Sequence, residues 1–189
     1  DLCAGQVLVR SGQRLGPTHV GLLASQGIDH APVHRLPAIS VLSTGDELIA
    51  PGLPLKTGQL YNSNGPMLVA MLANEGLQGA TAHHCPDQLD ATISCLSLLA
   101  AESDVIIVSG GVSVGDHDHI KPALKALGLE PELWRVKVKP GKPFLFVHRM
   151  EPRPLYIFGL PGNPLSAFVT FHLFVKRALL KLIGESDTT

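Results

Sequence analysis

Three stretches of this sequence couple glycine to carboxylates or to a helix start, and the chemistry they suit is holding phosphate. They are Ser43-Thr44-Gly45-Asp46-Glu47, the run Ser109-Gly110-Gly111-Val112-Ser113-Val114-Gly115-Asp116-His117-Asp118, and Gly159-Leu160-Pro161-Gly162-Asn163-Pro164. Glycine lets main-chain N–H groups approach phosphate oxygens, and a helix N-terminus favours the negative charge. A tight turn from strand to helix needs glycine anyway, so one stretch alone says little. Several gathered at one sheet edge would make a site. Carboxylates beside a phosphate need a cation between them. Asp46, Glu47, Asp116 and Asp118 offer the oxygen ligands that Mg²⁺ prefers, with waters and phosphate filling the remaining positions. The same aspartates also suit helix capping and dipole contact, and both readings stand.

Basic side chains gather between Trp134 and Pro143. On a strand, Arg135, Lys137 and Lys139 share a face, with Lys142 just beyond, which suits phosphate or oxyanion contacts. Lysines protecting an exposed edge strand are the competing explanation. His117 and His119, and the run His83-His84-Cys85, match no zinc spacing. There is no Gly-x-Ser-x-Gly elbow and no Gly-x-x-x-x-Gly-Lys-Ser/Thr loop, which disfavours serine nucleophiles and ordinary nucleotide hydrolysis.

From Pro37 the pattern runs strand, loop, helix, repeatedly. Strands are expected at Ala38–Leu42, Gln78–Ala82, Asp104–Ser109, Leu133–Val138, Phe144–His148 and Leu155–Phe158. Helices are expected from Asn64-Gly65-Pro66 to Gly76, after an Asp87 cap with the stripe Leu89, Ile93, Leu96 and Leu99, from Asp118 to Gly128, and from the Asn163-Pro164 cap to Gly184. Alternating elements predict a three-layer α/β fold, a mostly parallel sheet with helices on both faces. Residues 37–184 form that domain and 185–189 a tail. Residues 1–36 belong to a preceding domain or linker, with short strands at Val7–Arg10 and Ala31–His34 around a helix from Pro17 to Gln26.

The chain has 189 residues, of which 45% are hydrophobic and 16% charged, enough apolar matter for a core. Lys and Arg number 15 against 16 Asp and Glu, a formal net charge of −1. No global positive field would draw it to nucleic acid or an anionic membrane, so an anion site must be local. Three cysteines without a CxxC pair fit a reduced, cytoplasmic chain. No apolar run approaches the roughly 18–20 residues that span a bilayer. Opening on Asp-Leu-Cys rather than a methionine and a basic segment, the sequence reads as a fragment of something longer without a signal peptide.

In order, Ser43–Leu48, Tyr61-Asn62-Ser63-Asn64, Ser109–Asp118, Lys139–Pro143 and Gly159–Pro164 resemble the motifs of molybdopterin molybdenumtransferases, the family of bacterial MoeA and the gephyrin E domain. The likeness covers roughly residues 1–184. It implies the molybdopterin-binding fold and a longer protein that dimerises. The implied reaction takes adenylylated molybdopterin and molybdate as substrates, cleaves the adenylate with Mg²⁺, and releases molybdenum cofactor with AMP. By motif position Asp118 is the acidic residue most tied to catalysis, with Glu47 and Asp116 beside it, and Asp46, Glu47 and Asp118 are the metal ligands. Thr44, Gly45, Asp46, Ser63, Gly110, Gly111, Ser113 and Gly115 fall on substrate-binding positions. So do Arg135, Lys139, Lys142, Pro161, Gly162, Asn163 and Pro164. Arg135 stands where the family often has lysine, and Asp87 follows Pro86 where the family often has acids before the proline. The related adenylyltransferase shares the Gly-Gly-x-Ser-x-Gly loop, but the segment before Pro37 argues against it. A pterin-binding scaffold without turnover is the third reading.

Overall fold

The computed structural model describes residues 2–112 and 118–186. The apolar runs around Val41 and Ile107 form strands covered on both faces, β1 (Ile39–Thr44) and β5 (Val105–Ser109), buried at every position. With β4 (Thr81–Cys85), β6 (Leu133–Trp134), β7 (Leu145–Arg149) and β8 (Leu155–Leu160) they make a six-stranded sheet in the order β4-β1-β5-β8-β7-β6. The first four of that order run parallel, and β7 and β6 run antiparallel to their neighbours. The chain leaves β1 for β4 on one side and returns to β5 on the other. Such a reversal opens a crevice outside the carboxyl ends of the strands.

Alternation along the strands assigns the two faces. Leu42, Ile106, Val108, Leu145 and Ile157 join Leu96 and Leu99 of α3 (Leu89–Glu102) and Ile120 and Leu124 of α4 (Ile120–Ala126) in one apolar core. Val41, Ile107 and Phe158 point the other way and are equally buried. There α2 (Asn64–Asn74) buries Leu68 and Leu72 and packs on β1, β4 and α5 (Pro164–Thr170). The expected three-layer, mostly parallel α/β architecture is therefore present.

Several boundaries differ from the sequence expectation. Neither Val7–Arg10 nor Ala31–His34 is a strand, since neither pairs with a ladder, whereas the helix between them forms as α1 (Pro17–Ser25). The second strand begins at Thr81, because Gly79 at φ +85° still belongs to the preceding turn. The basic strand ends at Trp134, where Arg135 takes φ 72°, so Arg135, Lys137 and Lys139 do not share a strand face. Gln88, not Asp87, occupies the cap position of α3. A parallel two-stranded ribbon, β2 (Leu48–Ile49) and β3 (Leu60–Tyr61), escaped the sequence reading altogether.

The chain divides into two compact units, Asp1–Leu36 with Arg177–Thr189, and Pro37–Lys176. Sequence patterning instead assigned residues 177–184 to the α/β domain. The sheet lies wholly in the second unit, whose last helical stretch passes through one π-helical turn, Phe171–Val175.

Candidate functional site

The turns after β1, β5 and β8 open on one cavity of about 590 Å³, in the crevice that the strand order creates. Thr44, Gly45 and Glu47 come from the first turn, Ser109, Gly110 and Gly111 from the second, and Pro161 to Pro164 from the third. Ser63 and Asn64 add the start of α2, and Asp118 the approach to α4.

Each turn is held by its neighbours. Gly45 sits at φ +146°, and the Glu47 carboxylate folds back over it so closely that a Cβ there would lie 2.6 Å from Oε2. The end of β4 bolts this turn down. His84 Nε2 donates to the Gly45 carbonyl at 2.9 Å, and the Asp87 N–H donates to Asp46 Oδ1 at 2.9 Å. Gly111, at φ +61°, lies where a Cβ would meet Ile120 Cγ1 at 2.9 Å and Thr44 Oγ1 at 3.0 Å, so the β5 turn presses against the β1 turn. Asn163 caps α5 by accepting from the Ser166 N–H at 3.2 Å, with Pro164 in the first turn, as its sequence predicts.

Not every glycine N–H remains for a phosphate. Gly45 N–H donates to the Cys85 carbonyl and Gly110 N–H to the Leu160 carbonyl. At these two positions glycine serves close approach between turns rather than anion contact. The charge on the wall is also negative. Glu47, Asp87 and Asp118 border the cavity, and no Lys or Arg does among the described residues.

Asp118 is the perturbed group. Burial pushes its carboxyl up from 3.8 to about 6, against the opposing pull of the Ile120 and Lys121 main-chain N–H groups and the His119 and Lys121 charges. Its Oδ1 is buried without a hydrogen-bond partner, and so are Thr44 Oγ1 and Asn64 Oδ1. Among the described residues no three His, Cys, Asp or Glu converge as metal ligands. Asp46, Glu47 and Asp118 are therefore not assembled as one cage, and Asp46 is committed to the Asp87 N–H. The orphaned Asp118 oxygen does fit a cation that takes most of its shell from water and phosphate, as Mg²⁺ commonly does.

Of the residues singled out in the sequence, Thr44, Gly45, Glu47, Ser63, Gly110, Gly111 and Asp118 line the cavity, together with Pro161, Gly162, Asn163 and Pro164. Asp46 does not, and Arg135, Lys139 and Lys142 are exposed on the loop leading to Pro143, which does. Ser113, Gly115 and Asp116 lie outside the described residues. Asp87, Asn64, Leu60 and Tyr61 line it without having been singled out as site residues. The signal for Asn64 was its place at a helix start, as the last residue of the Tyr61-Asn62-Ser63-Asn64 motif. Leu60 carries none, because its role depends on the β2–β3 ribbon.

Residues 40–181 match the family model described as "Probable molybdopterin binding domain". The chain is 37% identical over 187 residues to the molybdopterin molybdenumtransferase of Haemophilus influenzae, an alignment covering 99% of this chain and 45% of that protein. It is 35% identical over 213 residues to gephyrin of Dictyostelium discoideum, covering 97% of this chain and 29% of that one. A crystal structure of the molybdopterin biosynthesis MoeA protein from Pyrococcus horikosii superposes with a TM-score of 0.82 at 32% identity, over 96% of this chain and 44% of that one. The chain thus spans less than half the length of these relatives. Sheet order, the gathering of its turns and these likenesses agree, and the chain belongs to the molybdopterin-binding domain family.

Proposed function

We propose that this chain is the pterin-phosphate-binding part of an enzyme of molybdenum cofactor biosynthesis. The enzyme inserts molybdate into adenylylated molybdopterin and releases AMP. The observation that carries the reading is the single cavity bordered by three strand-end turns and by Asp118, whose Oδ1 is buried and unpaired. The relatives named as molybdenumtransferases support the same chemistry.

Asp118 would hold Mg²⁺ through Oδ1, and Glu47, lying over Gly45, would face the same phosphate region. When bound, Mg²⁺ supplies the positive charge that a pyrophosphate beside Glu47, Asp87 and Asp118 otherwise lacks. The Asp118 carboxyl titrates near 6, so at neutral pH it is mostly ionised and able to ligate a cation. Pro161 and Pro164 stiffen the third turn, and the packed glycine turns would hold the phosphoanhydride in place while an oxygen of molybdate or water replaces AMP on phosphorus. Arg135, Lys139 and Lys142 are assigned to phosphate or molybdate oxygens from their exposed loop, and Asp116 to support of Asp118. The full protein is proposed to work as a cytoplasmic homodimer.

The test supplies the full-length protein with Mg²⁺, molybdate and adenylylated molybdopterin and follows AMP. Molybdate-dependent AMP release is expected, and Asp118→Asn should lose most of it, at least about 100-fold, while staying folded. Consumption of ATP with free molybdopterin would instead indicate adenylyl transfer. Tight binding without either reaction would indicate a scaffold.

A further inference from the structure

Among the described residues, the buried side-chain atoms without a hydrogen-bond partner are Thr44 Oγ1, Asn64 Oδ1, Asp118 Oδ1 and Arg149 Nε. Thr44, Asn64 and Asp118 all border the cavity. An unpaired buried polar group costs about 1–3 kcal/mol, so several at one place point to a ligand that satisfies them.

Asn64 is the informative member. It is 8% exposed, and only one end of its amide is used. Nδ2 donates to Ser109 Oγ at 2.8 Å and to the Gly162 carbonyl at 2.7 Å. A carbonyl only accepts, so the Gly162 contact fixes which end of the amide is nitrogen and leaves Oδ1 as the free acceptor. One side chain thereby ties the start of α2 to the turns after β5 and β8. The free oxygen needs a donor. Phosphate ionised at neutral pH presents acceptors almost exclusively and cannot itself satisfy Oδ1, so the donor must come from elsewhere in the ligand, and both heterocycles of an adenylylated pterin carry N–H groups. Thr44, 6% exposed with an unpaired hydroxyl on the neighbouring turn, can meet an acceptor of the same ring.

We propose that Asn64 reads the heterocycle of the substrate: Oδ1 accepts a pterin N–H while Nδ2 keeps the β5 and β8 turns in register for the phosphate end. This rests on the pterin reading of the cavity and assigns the acceptor within it. The test compares a 2-amino-4-oxopterin carrying a phosphorylated side chain with inorganic pyrophosphate, each with Mg²⁺, by calorimetric titration of the full-length protein. Asn64→Leu should weaken the pterin phosphate about five- to tenfold more than pyrophosphate, the worth of one neutral hydrogen bond. Asn64→Asp, which keeps acceptor oxygens, should restore most of that preference. Ser109→Ala loosens the clamp but spares Oδ1, and should change both ligands alike, which keeps the proposal open to refutation if Asn64→Leu does not fold. Equal weakening of both ligands by Asn64→Leu, or a pterin-specific loss in Ser109→Ala, overturns the proposal. Wild-type protein that holds pyrophosphate but not the pterin phosphate overturns the pterin reading itself.

Discussion

Asp118 is held in a state that costs the free protein something. Its carboxyl binds a proton more tightly in the fold than in the unfolded chain, because burial disfavours the charge. The folded state therefore carries the extra proton between pH 4 and pH 6, and stability contributed by the protonated form is lost as pH rises through about 6. Asp118→Asn abolishes that loss. Its melting temperature relative to wild type, measured by calorimetry in EDTA, should climb from pH 4 to pH 7, and a flat difference would contradict the burial argument. Asp118 was visible in the sequence because it closes a glycine-rich run before a helix. Asp87 was not singled out as a site residue, since its cavity position depends on where β4 ends and no local pattern records that, whereas Asn64 was legible only as part of a motif at a helix start. The glycines were legible as turns, yet the use of the Gly45 and Gly110 N–H groups inside the fold appears only when strand ends meet.

Elements explain which expectations held. The apolar run of β5 admits only a strand covered on both faces, and the Asn163-Pro164 pair is a local code for a helix start that needs no distant partner. The basic segment failed as a strand for the opposite reason. Its alternation was sound, but Arg135 turns left-handed and the chain closes a loop through the Val136 N–H to the Lys142 carbonyl at 3.0 Å. Residue types that permit a strand do not compel one at a sheet edge. Asn163→Ala removes the cap of α5, and should lower unfolding stability by about 1 kcal/mol in urea titration. A cost near zero would mean that packing, not the cap, sets that helix start.

At the scale of the molecule, charge decides what the cavity can accept. The chain carries a formal net charge of −1, so no broad field attracts an anion, and the described wall adds carboxylates without a lysine or arginine. Under the proposed function a pyrophosphate seated there meets a cation, and the proposed Mg²⁺ would link fold to function. The sheet order places that seat at the reversal between β1 and β5, where the buried ends of both strands hold the turns in place. The most direct test is a crystal structure of the full-length protein with adenylylated molybdopterin and Mn²⁺ in place of Mg²⁺, using anomalous scattering. The pyrophosphate is expected among the turns after β1, β5 and β8, with a manganese peak within coordination distance of Asp118 Oδ1. A nucleotide bound elsewhere, or a metal that leaves Asp118 untouched, would contradict the proposed function.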